Sequence, residues 1–347
     1  LYYFLPWNVI RLCRLLNGLN LPAPDFAFSP LLMDVGSGPL TFPLALWMAK
    51  PAWRDKPLKI WALDSAKRPM ELGLKIFDEL CSALGVSPWR IILTSAPAFR
   101  AAMEYGKRAA KMDASPWLLS AVNVLNETRQ FTRGADEDDP ENDDLYRMLG
   151  AWSEYRLYRS FAGILVIEPG TRLGGETIAT LRDYGTRDGF YASAPCVAGY
   201  PCPFNREKRA AKRWCHFTFA ASDAPAWLRR LSVEAGLEKK SLSLSFALLE
   251  TKIPAPRGES VCRVISQPFA VPGLSDSCRY ACSASGLALL PDAKKLPSGS
   301  IAHCRPPANP RRDKQSGAII LESAGETGER PGNTRGHGFK ERKKSKR

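Results

Sequence analysis

The sequence lacks a long apolar run and a secretory start. No segment reaches the roughly 18 uninterrupted apolar residues that a membrane span needs, so we expect no contact with a membrane. Residues 1–21 carry no basic start and no small-residue cleavage site, and Pro6, Arg11 and Arg14 interrupt them. This stretch reads as an amphipathic helix that packs on the domain. Nine cysteines, an odd number, without a signal peptide indicate a reducing compartment, and we expect a cytoplasmic protein.

The chain is long, rich in apolar residues and strongly basic. The chain has 347 residues, 45% of them hydrophobic, which is enough for a packed globular body. Its formal net charge is +14, and much of the excess lies in residues 305–347, which are poor in large apolar side chains. We expect this stretch to be a disordered basic tail that attracts a polyanion such as RNA through counterion release. The alternative is that the tail only aids solubility.

An apolar strand, a glycine turn and a helix follow one another in "LLMDVGSGPLTFPLALWMA". Residues 31–35 read as a strand, Gly36, Ser37 and Gly38 as a tight turn, and residues 44–49 as a helix. Glycines let the backbone approach a ligand closely, and a helix N-terminus offers free N–H groups. The next predicted strand, 59–63, ends at Asp64, where a doubly wound sheet places the acid that binds a ribose.

Two cofactors fit this pattern, a dinucleotide and S-adenosylmethionine. The third glycine of the dinucleotide fingerprint is missing, because Thr41 stands at its position. A turn that begins at Asp34 and reads D-x-G-x-G favours S-adenosylmethionine, which has no pyrophosphate to cradle. An ordinary strand-to-helix turn without a ligand is the remaining interpretation.

Further strands alternate with helical segments along the chain. We predict strands at 90–94, 118–125 and 163–168, and helices at 70–84 and 151–161. This alternation predicts an α/β fold with a doubly wound, mostly parallel sheet. Because ligands bind at the carboxyl ends of such strands, Asp34, the glycine turn, Asp64 and the "NVLNE" turn that contains Asn123 should line one crevice. The acidic segment 134–144 reads as a solvated loop, with metal binding as the alternative.

Three cysteines lie close together in "PCVAGYPCPFNREKRAAKRWCHF". Cys196, Cys202 and Cys215 are too widely spaced for the usual paired zinc motif, and their irregular spacing suits an iron–sulfur cluster held by loops. Zinc remains an alternative, and so does a nucleophilic Pro-Cys pair of the kind used by cytosine methyltransferases. A further alternative is that the thiols are small buried side chains.

These motifs together resemble a family. "DVGSGP", "ALDSAKRPMELG", "AVNVLNE", "VIEPGT", "APC…CP…WCHF" and "LSFALL" occur in the order seen in a methyltransferase-like family of small-ribosomal-subunit proteins, over roughly residues 1–292. The resemblance implies a class I methyltransferase-like domain that binds S-adenosylmethionine. It also implies association with small-subunit ribosomal RNA and a [4Fe–4S] cluster on four cysteines.

The family's site residues transfer to positions in this chain. Its cofactor turn falls on Asp34, Gly36 and Gly38, and its ribose-binding acid falls on Asp64. Its cluster ligands fall on the three clustered cysteines and, best, on Cys282, with Cys278 or Cys262 as alternatives for the fourth position.

The resulting prediction has five segments: an N-terminal helical segment (1–28), a cofactor-binding core (29–190), a cysteine-containing insertion with the last core strands (191–250), a small β-rich segment (251–304) and the basic tail (305–347). We expect a monomer. The predicted function is an S-adenosylmethionine-dependent methyltransferase-like protein that acts on the small subunit. The alternative is a non-catalytic assembly or RNA-binding factor with a structural zinc or iron–sulfur site.

Overall fold

The computed structural model describes residues 2–85, 88–108, 111–130, 160–197, 202–204, 213–253, 261–304 and 309–321. Within these ranges the α-helices are α1 (Phe4–Gly18), α2 (Thr41–Ala49), α3 (Lys67–Leu84), α4 (Ala101–Arg108), α5 (Leu125–Gln130), α6 (Arg172–Arg187) and α7 (Ala226–Glu234). None of these described helices is long and apolar enough to cross a membrane.

The strands fall into a larger and a smaller sheet. Those of the larger sheet are β1 (Pro30–Val35), β2 (Leu58–Asp64), β3 (Trp89–Ser95), β4 (Ser115–Val122), β5 (Gly163–Pro169), β6 (Tyr191–Ala194), β7 (Phe217–Ala220) and β8 (Ser241–Glu250). Those of the smaller sheet are β9 (Val261–Val264), β10 (Phe269–Val271), β11 (Ser275–Ser283), β12 (Gly286–Leu290), β13 (Ile301–His303) and β14 (Ile319–Ile320).

The larger sheet is mostly parallel, as predicted. Its order is β3-β2-β1-β4-β5-β8-β6, and only β8 runs against its neighbours. Strands β6 and β7 both pair with β8, β6 at its end and β7 at its beginning, on the edge opposite β5. They therefore form one interrupted edge strand, and the cysteine-bearing residues 195–216 are inserted at the interruption.

Apolar side chains cover both faces of this sheet. Leu31, Met33 and Val35 of β1 pack on one side with α4 and α6, whereas Leu32 points to the other side, where α1, α2 and α3 pack. All six residues of β1 are buried, because a central parallel strand has helices on both faces. The result is the predicted doubly wound α/β fold with a mostly parallel sheet.

The β-rich C-terminal part is larger than predicted. Its sheet has six strands. One face of β11 in this sheet carries Tyr280 and Cys282, and these side chains pack against the core of the larger sheet. The expectation of a disordered tail from residue 305 is wrong for residues 309–321. There β14 pairs with β12 in parallel, and Ala318 and Leu321 are buried, because this stretch supplies a short apolar run that the sheet can cover. Residues 322–347 lie outside the described ranges.

Most of the predicted elements are confirmed, with one boundary error. The strand predicted at 118–125 ends at Val122, and helix α5 begins at Leu125. The backbone turns between them at Asn123, whose φ of 58° is in the left-handed region. The predicted acidic loop 134–144 and nearly all of the predicted helix 151–161 lie outside the described residues.

Candidate cofactor-binding site

The turn after β1 is fixed by backbone contacts to β2 and by close packing. The N–H groups of Gly36 and Ser37 both donate to the carbonyl of Leu63, at 2.7 and 3.1 Å. Gly36 has a φ of 69°, and a Cβ there would lie 2.5 Å from Val124. Only glycine satisfies both the conformation and the close approach.

Asp34 anchors this turn from below. Its side chain is almost fully buried, and its two carboxylate oxygens accept hydrogen bonds from the hydroxyls of Ser37 and Ser120, both at 2.6 Å. Burial raises the pKa of the carboxyl to about 6, although the two hydroxyls act in the opposite direction. Asp34 therefore ties β1, the glycine turn and β4 together.

Asp64 stands at the end of β2 and faces the same turn. Its carboxylate oxygens accept from the N–H of Gly38 at 2.8 Å and from the N–H of Ala66 at 2.8 Å. A carboxylate has about four acceptor positions, so two remain for a ligand. This is the geometry in which a ribose diol can be bound beside the glycine turn.

Asn123 is held by the N-terminal helix. Its N–H donates to the carbonyl of Ile167 at 2.7 Å, and its side-chain oxygen accepts from the guanidinium of Arg11 at 2.9 Å. Arg11 also donates to the carbonyl of Ser243 at 3.1 Å and is 8% exposed. With its oxygen engaged, the amide of Asn123 retains its NH₂ group as a donor.

A second buried acid, Glu168, lies near Asn123 and follows Ile167, to whose carbonyl Asn123 donates. Its carboxylate is fully buried and accepts from the N–H groups of Leu125 and Asn126, at 2.9 and 3.3 Å, which caps helix α5. Burial raises the pKa of Glu168 to about 8, while the nearby Arg11 acts in the opposite direction. Burial also lowers the pKa of Arg11 to about 10.

These elements enclose a cavity of about 230 Å³ at the carboxyl ends of β1, β2 and β4. All six predicted cofactor-binding residues line it: Asp34, Gly36, Ser37, Gly38, Asp64 and Asn123. The volume is below the roughly 300 Å³ at which ligand pockets usually begin, so it can enclose only part of an extended ligand.

The wall of the cavity is acidic. Asp34, Asp64 and Glu127 all line it, and burial together with the charge of Asp64 raises the pKa of Glu127. In a chain of net charge +14, a cavity with three carboxyl groups favours a cationic ligand and disfavours a pyrophosphate.

Three residues of this site, Asn8, Arg11 and Glu168, were not predicted from the sequence, whereas Glu127 belongs to the "NVLNE" turn that was predicted to line the crevice. Asn8 lines the cavity from α1, one turn before Arg11. A signal for Arg11 was present, because Trp7, Arg11 and Leu15 recur every fourth residue and so share the buried face of the helix. Glu168 ends an otherwise apolar strand, and nothing local indicated which N–H groups it binds.

The three clustered cysteines and Cys282 lie near one another in the fold. Besides burial, the charges of Cys282, Cys196 and Cys202 contribute to raising the pKa of Cys215 well above its usual value. Burial, with a further contribution from Cys196, raises the pKa of Cys202 to about 12. Cys215 precedes β7 and Cys282 lies on β11, so this convergence joins the inserted segment to the smaller sheet.

Two buried arginines and an aspartate lie beside the cysteine thiols and hold the inserted segment by hydrogen bonds. The side chains of Arg182 and Asp183 on α6 form an ion pair at 2.6 Å, and Asp183 accepts from the N–H of Cys202 at 3.0 Å. Arg182 also lowers the pKa of Cys196, against the larger effect of burial. From the smaller sheet, Arg263 donates to the carbonyl of Pro195 at 3.0 Å.

The structure does not form a closed metal site from these thiols. In the part of the chain that it describes, no three His, Cys, Asp or Glu side chains form a group that could hold a metal ion. Residues 198–201 and 205–212, which run between the thiols, lie outside that part. The donor chemistry of four cysteines suits a thiolate metal centre, and the described side chains do not complete its geometry.

The two alternative fourth cysteines are engaged elsewhere. Cys262 is paired with Cys304 in a disulfide, which was not expected from the sequence. Cys278 shares a face of β11 with Cys282, as their even spacing predicts, but its thiol donates to the carbonyl of Ser275. The acids near it are Asp292, Asp313 and Asp276, and Cys215 interacts with Cys282 instead.

Comparison with known proteins agrees with the family resemblance over part of the chain. Residues 153–275, about a third of the sequence, match a protein family described as mitochondrial small ribosomal subunit Rsm22. This region contains β5 to β10 and the three clustered cysteines. No curated protein matches the chain.

Several solved structures are similar, all at low sequence identity. The small RNA methyltransferase HEN1 is 11% identical over 65% of this chain and 25% of its own, with a TM-score of 0.29. A putative class I S-adenosylmethionine-dependent methyltransferase of Listeria monocytogenes is 10% identical over 66% of this chain and 57% of its own, with a TM-score of 0.34. A putative methyltransferase of Bacillus halodurans is 11% identical over 70% of this chain and 99% of its own, with a TM-score of 0.29. The chain thus spans a quarter of the length of HEN1 and 57% of the length of the Listeria monocytogenes protein.

Glu168→Gln tests the protonation state of the buried carboxyl group near Asn123. Because burial raises the pKa of Glu168 to about 8, the folded protein binds a proton that the unfolded chain releases near its ordinary pKa of 4.5. Stability should therefore fall as pH rises from about 6 to 8, by up to about 1.4 kcal/mol per pH unit. In Glu168→Gln this fall should be reduced. Urea unfolding at several pH values measures it.

Glu79→Gln, an exposed position on α3, is the matched control and should keep the wild-type pH dependence. Parallel curves for the wild type and Glu168→Gln would show that Glu168 is already ionised at pH 6.

Proposed function

We propose that the chain binds S-adenosylmethionine in the acidic cavity and acts as a methyltransferase-like factor of the small ribosomal subunit. The observation that supports S-adenosylmethionine binding is the cavity itself, where a glycine turn is surrounded by three carboxyl groups, one of them that of Asp64. S-adenosylmethionine carries a sulfonium and an ammonium, which this environment favours, whereas a dinucleotide pyrophosphate would be repelled. The match of residues 153–275 to a small-subunit family supports the second part.

Each residue of the site has a defined contribution in this proposal. Asp64 accepts hydrogen bonds from the ribose hydroxyls. Gly36 lets the turn pass close to Val124, and Gly38, which has open space where a Cβ would be, lets the backbone come close to the ligand. Asn123 offers its NH₂ group, and Arg11 keeps it in place. The cofactor, when bound, supplies an electrophilic methyl group. Association with ribosomal RNA and a cytoplasmic location stay predictions from the sequence, and no acceptor atom is assigned.

Asp64→Ala should weaken binding of S-adenosylmethionine roughly tenfold to a hundredfold, because hydrogen bonds to a charged group contribute about 1.5–3 kcal/mol each. Isothermal calorimetry on the full chain measures this. Asp78→Ala, at an exposed position on α3, removes the same group and should bind like the wild type. Tight binding of NAD without binding of S-adenosylmethionine would overturn the proposal.

We further propose that Cys196, Cys202, Cys215 and Cys282 bind a [4Fe–4S] cluster, with zinc as the alternative metal. Their convergence from the inserted segment and the smaller sheet supports this, as does the choice of four thiols. A metal here would stabilise a segment that has few apolar residues of its own. The position of Arg182 and Arg263 would offset part of the negative charge of four thiolates.

Each Cys→Ser change at these four positions should remove iron, sulfide and brown colour together from anaerobically purified protein. Cys278 lies four residues before Cys282 on the same face of β11. Cys278→Ser is therefore the matched control and should keep the full metal content. Stoichiometric zinc without iron would contradict the cluster but keep the site. Wild-type protein without any metal would overturn the proposal.

A further inference from the structure

A second and larger cavity lies beside helix α7, away from the acidic one. Its volume is about 580 Å³, and it is bordered by α7, by the residues before α7 and by the loop that leads into β8. Trp7 of α1 forms part of its wall. The next residue, Asn8, lines the acidic cavity, so α1 separates the two.

The floor of this second cavity is preorganised and partly apolar. The indole N–H of Trp7 donates to the hydroxyl of Ser232 at 3.0 Å, and that hydroxyl donates to the carbonyl of Leu228 at 2.7 Å. Trp7 and Leu228 belong to one small buried cluster with Ala221 and Leu242. This cluster lies behind the floor. The apolar surface open to a ligand is that of Ala226 and Val233, which line the cavity and are exposed, and it can receive a flat, partly apolar group.

The rim of the cavity is strongly basic. Arg229, Arg230, Lys239 and Lys240 line it against a single acid, Glu238. Two of the four cations have fixed positions. Arg229 donates to the carbonyl of Ala224 at 3.1 Å, and the ammonium of Lys239 stands 5.6 Å from the centre of the Tyr3 ring. Four cations around an apolar floor attract a ligand that carries phosphate groups.

Exposed aromatic rings lie next to this rim. Trp227 follows Ala226, which lines the cavity, and its side chain is 55% exposed. Tyr2 and Phe4 flank Tyr3 and are 88% and 66% exposed, and the Tyr3 hydroxyl donates to the carbonyl of Leu237. Rings left in water beside a basic cavity are stacking platforms for bases.

We propose that this cavity is a binding site for single-stranded RNA, in which one base enters the cavity and the flanking phosphates contact the basic rim. The basic rim, the apolar floor and the exposed rings together match the way in which single strands are bound. A duplex keeps its bases stacked and could use only the cations. This inference rests on the proposed function in one respect, the choice of RNA as the polyanion that binds. It does not depend on cofactor binding, because the two cavities have separate linings.

Arg230→Glu combined with Lys240→Glu tests the rim. In fluorescence anisotropy with a labelled ten-nucleotide RNA, the double variant of the full chain should bind about tenfold more weakly or worse. The slope of log binding constant against log salt concentration should also be shallower, by the amount expected for the loss of about two phosphate contacts. The matched control is Lys75→Glu with Arg90→Glu, which makes the same charge change at exposed positions near β3, the opposite edge of the sheet. That variant should lose less than about twofold.

Trp227→Ala separates stacking from charge. It should weaken binding of the single strand about fivefold or more but leave binding of a duplex of equal length unchanged. Calorimetry with S-adenosylmethionine on the same variants should give wild-type affinity, so failure of the RNA site and failure of the cofactor site are distinguishable.

Three results would overturn the proposal. Equal losses in the two double variants would show a general effect of net charge. Tighter binding of the duplex than of the single strand would exclude the cavity as a base pocket. Free adenosine monophosphate competing at the same concentration as the ten-nucleotide RNA would make the cavity a site for free nucleotides instead.

Discussion

The carboxylate of Asp34 is the constraint on which the candidate cofactor site depends. It is buried at the end of the central strand and has one hydroxyl bound to each oxygen, Ser37 from the turn and Ser120 from β4. An unpaired carboxylate in this position would be costly, so the turn and β4 are drawn to it. Gly36 can then pass close to Val124, and Gly38 can donate to Asp64. The acidic cavity is the space that these contacts leave.

Helix α1 links the cavities that carry the functional proposals. Consecutive residues, Trp7 and Asn8, face the basic and the acidic cavity, and Arg11 reaches the wall of the latter through Asn123. The interrupted edge strand has a comparable role at the edge of the larger sheet next to α7. It delivers the cysteine-bearing segment to β11, where Cys282 and Cys215 interact. The cysteine-bearing contact between the two sheets thus lies where the edge strand is interrupted between β6 and β7.

Local patterns predicted the fold well because apolar periodicity and glycine turns are local signals. The strands from β1 to β5 and the turn at Gly36 follow from such signals. The contacts of Arg11 and Glu168 did not, because each depends on a partner more than 40 residues away. Sequence spacing likewise could not show that β14 returns to pair with β12, or that Cys262 meets Cys304. Both pairings depend on tertiary contacts between segments that are far apart in the sequence.

A crystal structure of the full chain with S-adenosylmethionine would test whether the acidic cavity binds this cofactor. We predict the ribose hydroxyls within hydrogen-bond distance of the Asp64 carboxylate, the ligand beside Gly36 and Gly38, and Asn123 still bound to Arg11. A ligand bound in the basic cavity beside α7, or a cofactor cavity that stays empty at saturating concentration, would contradict it.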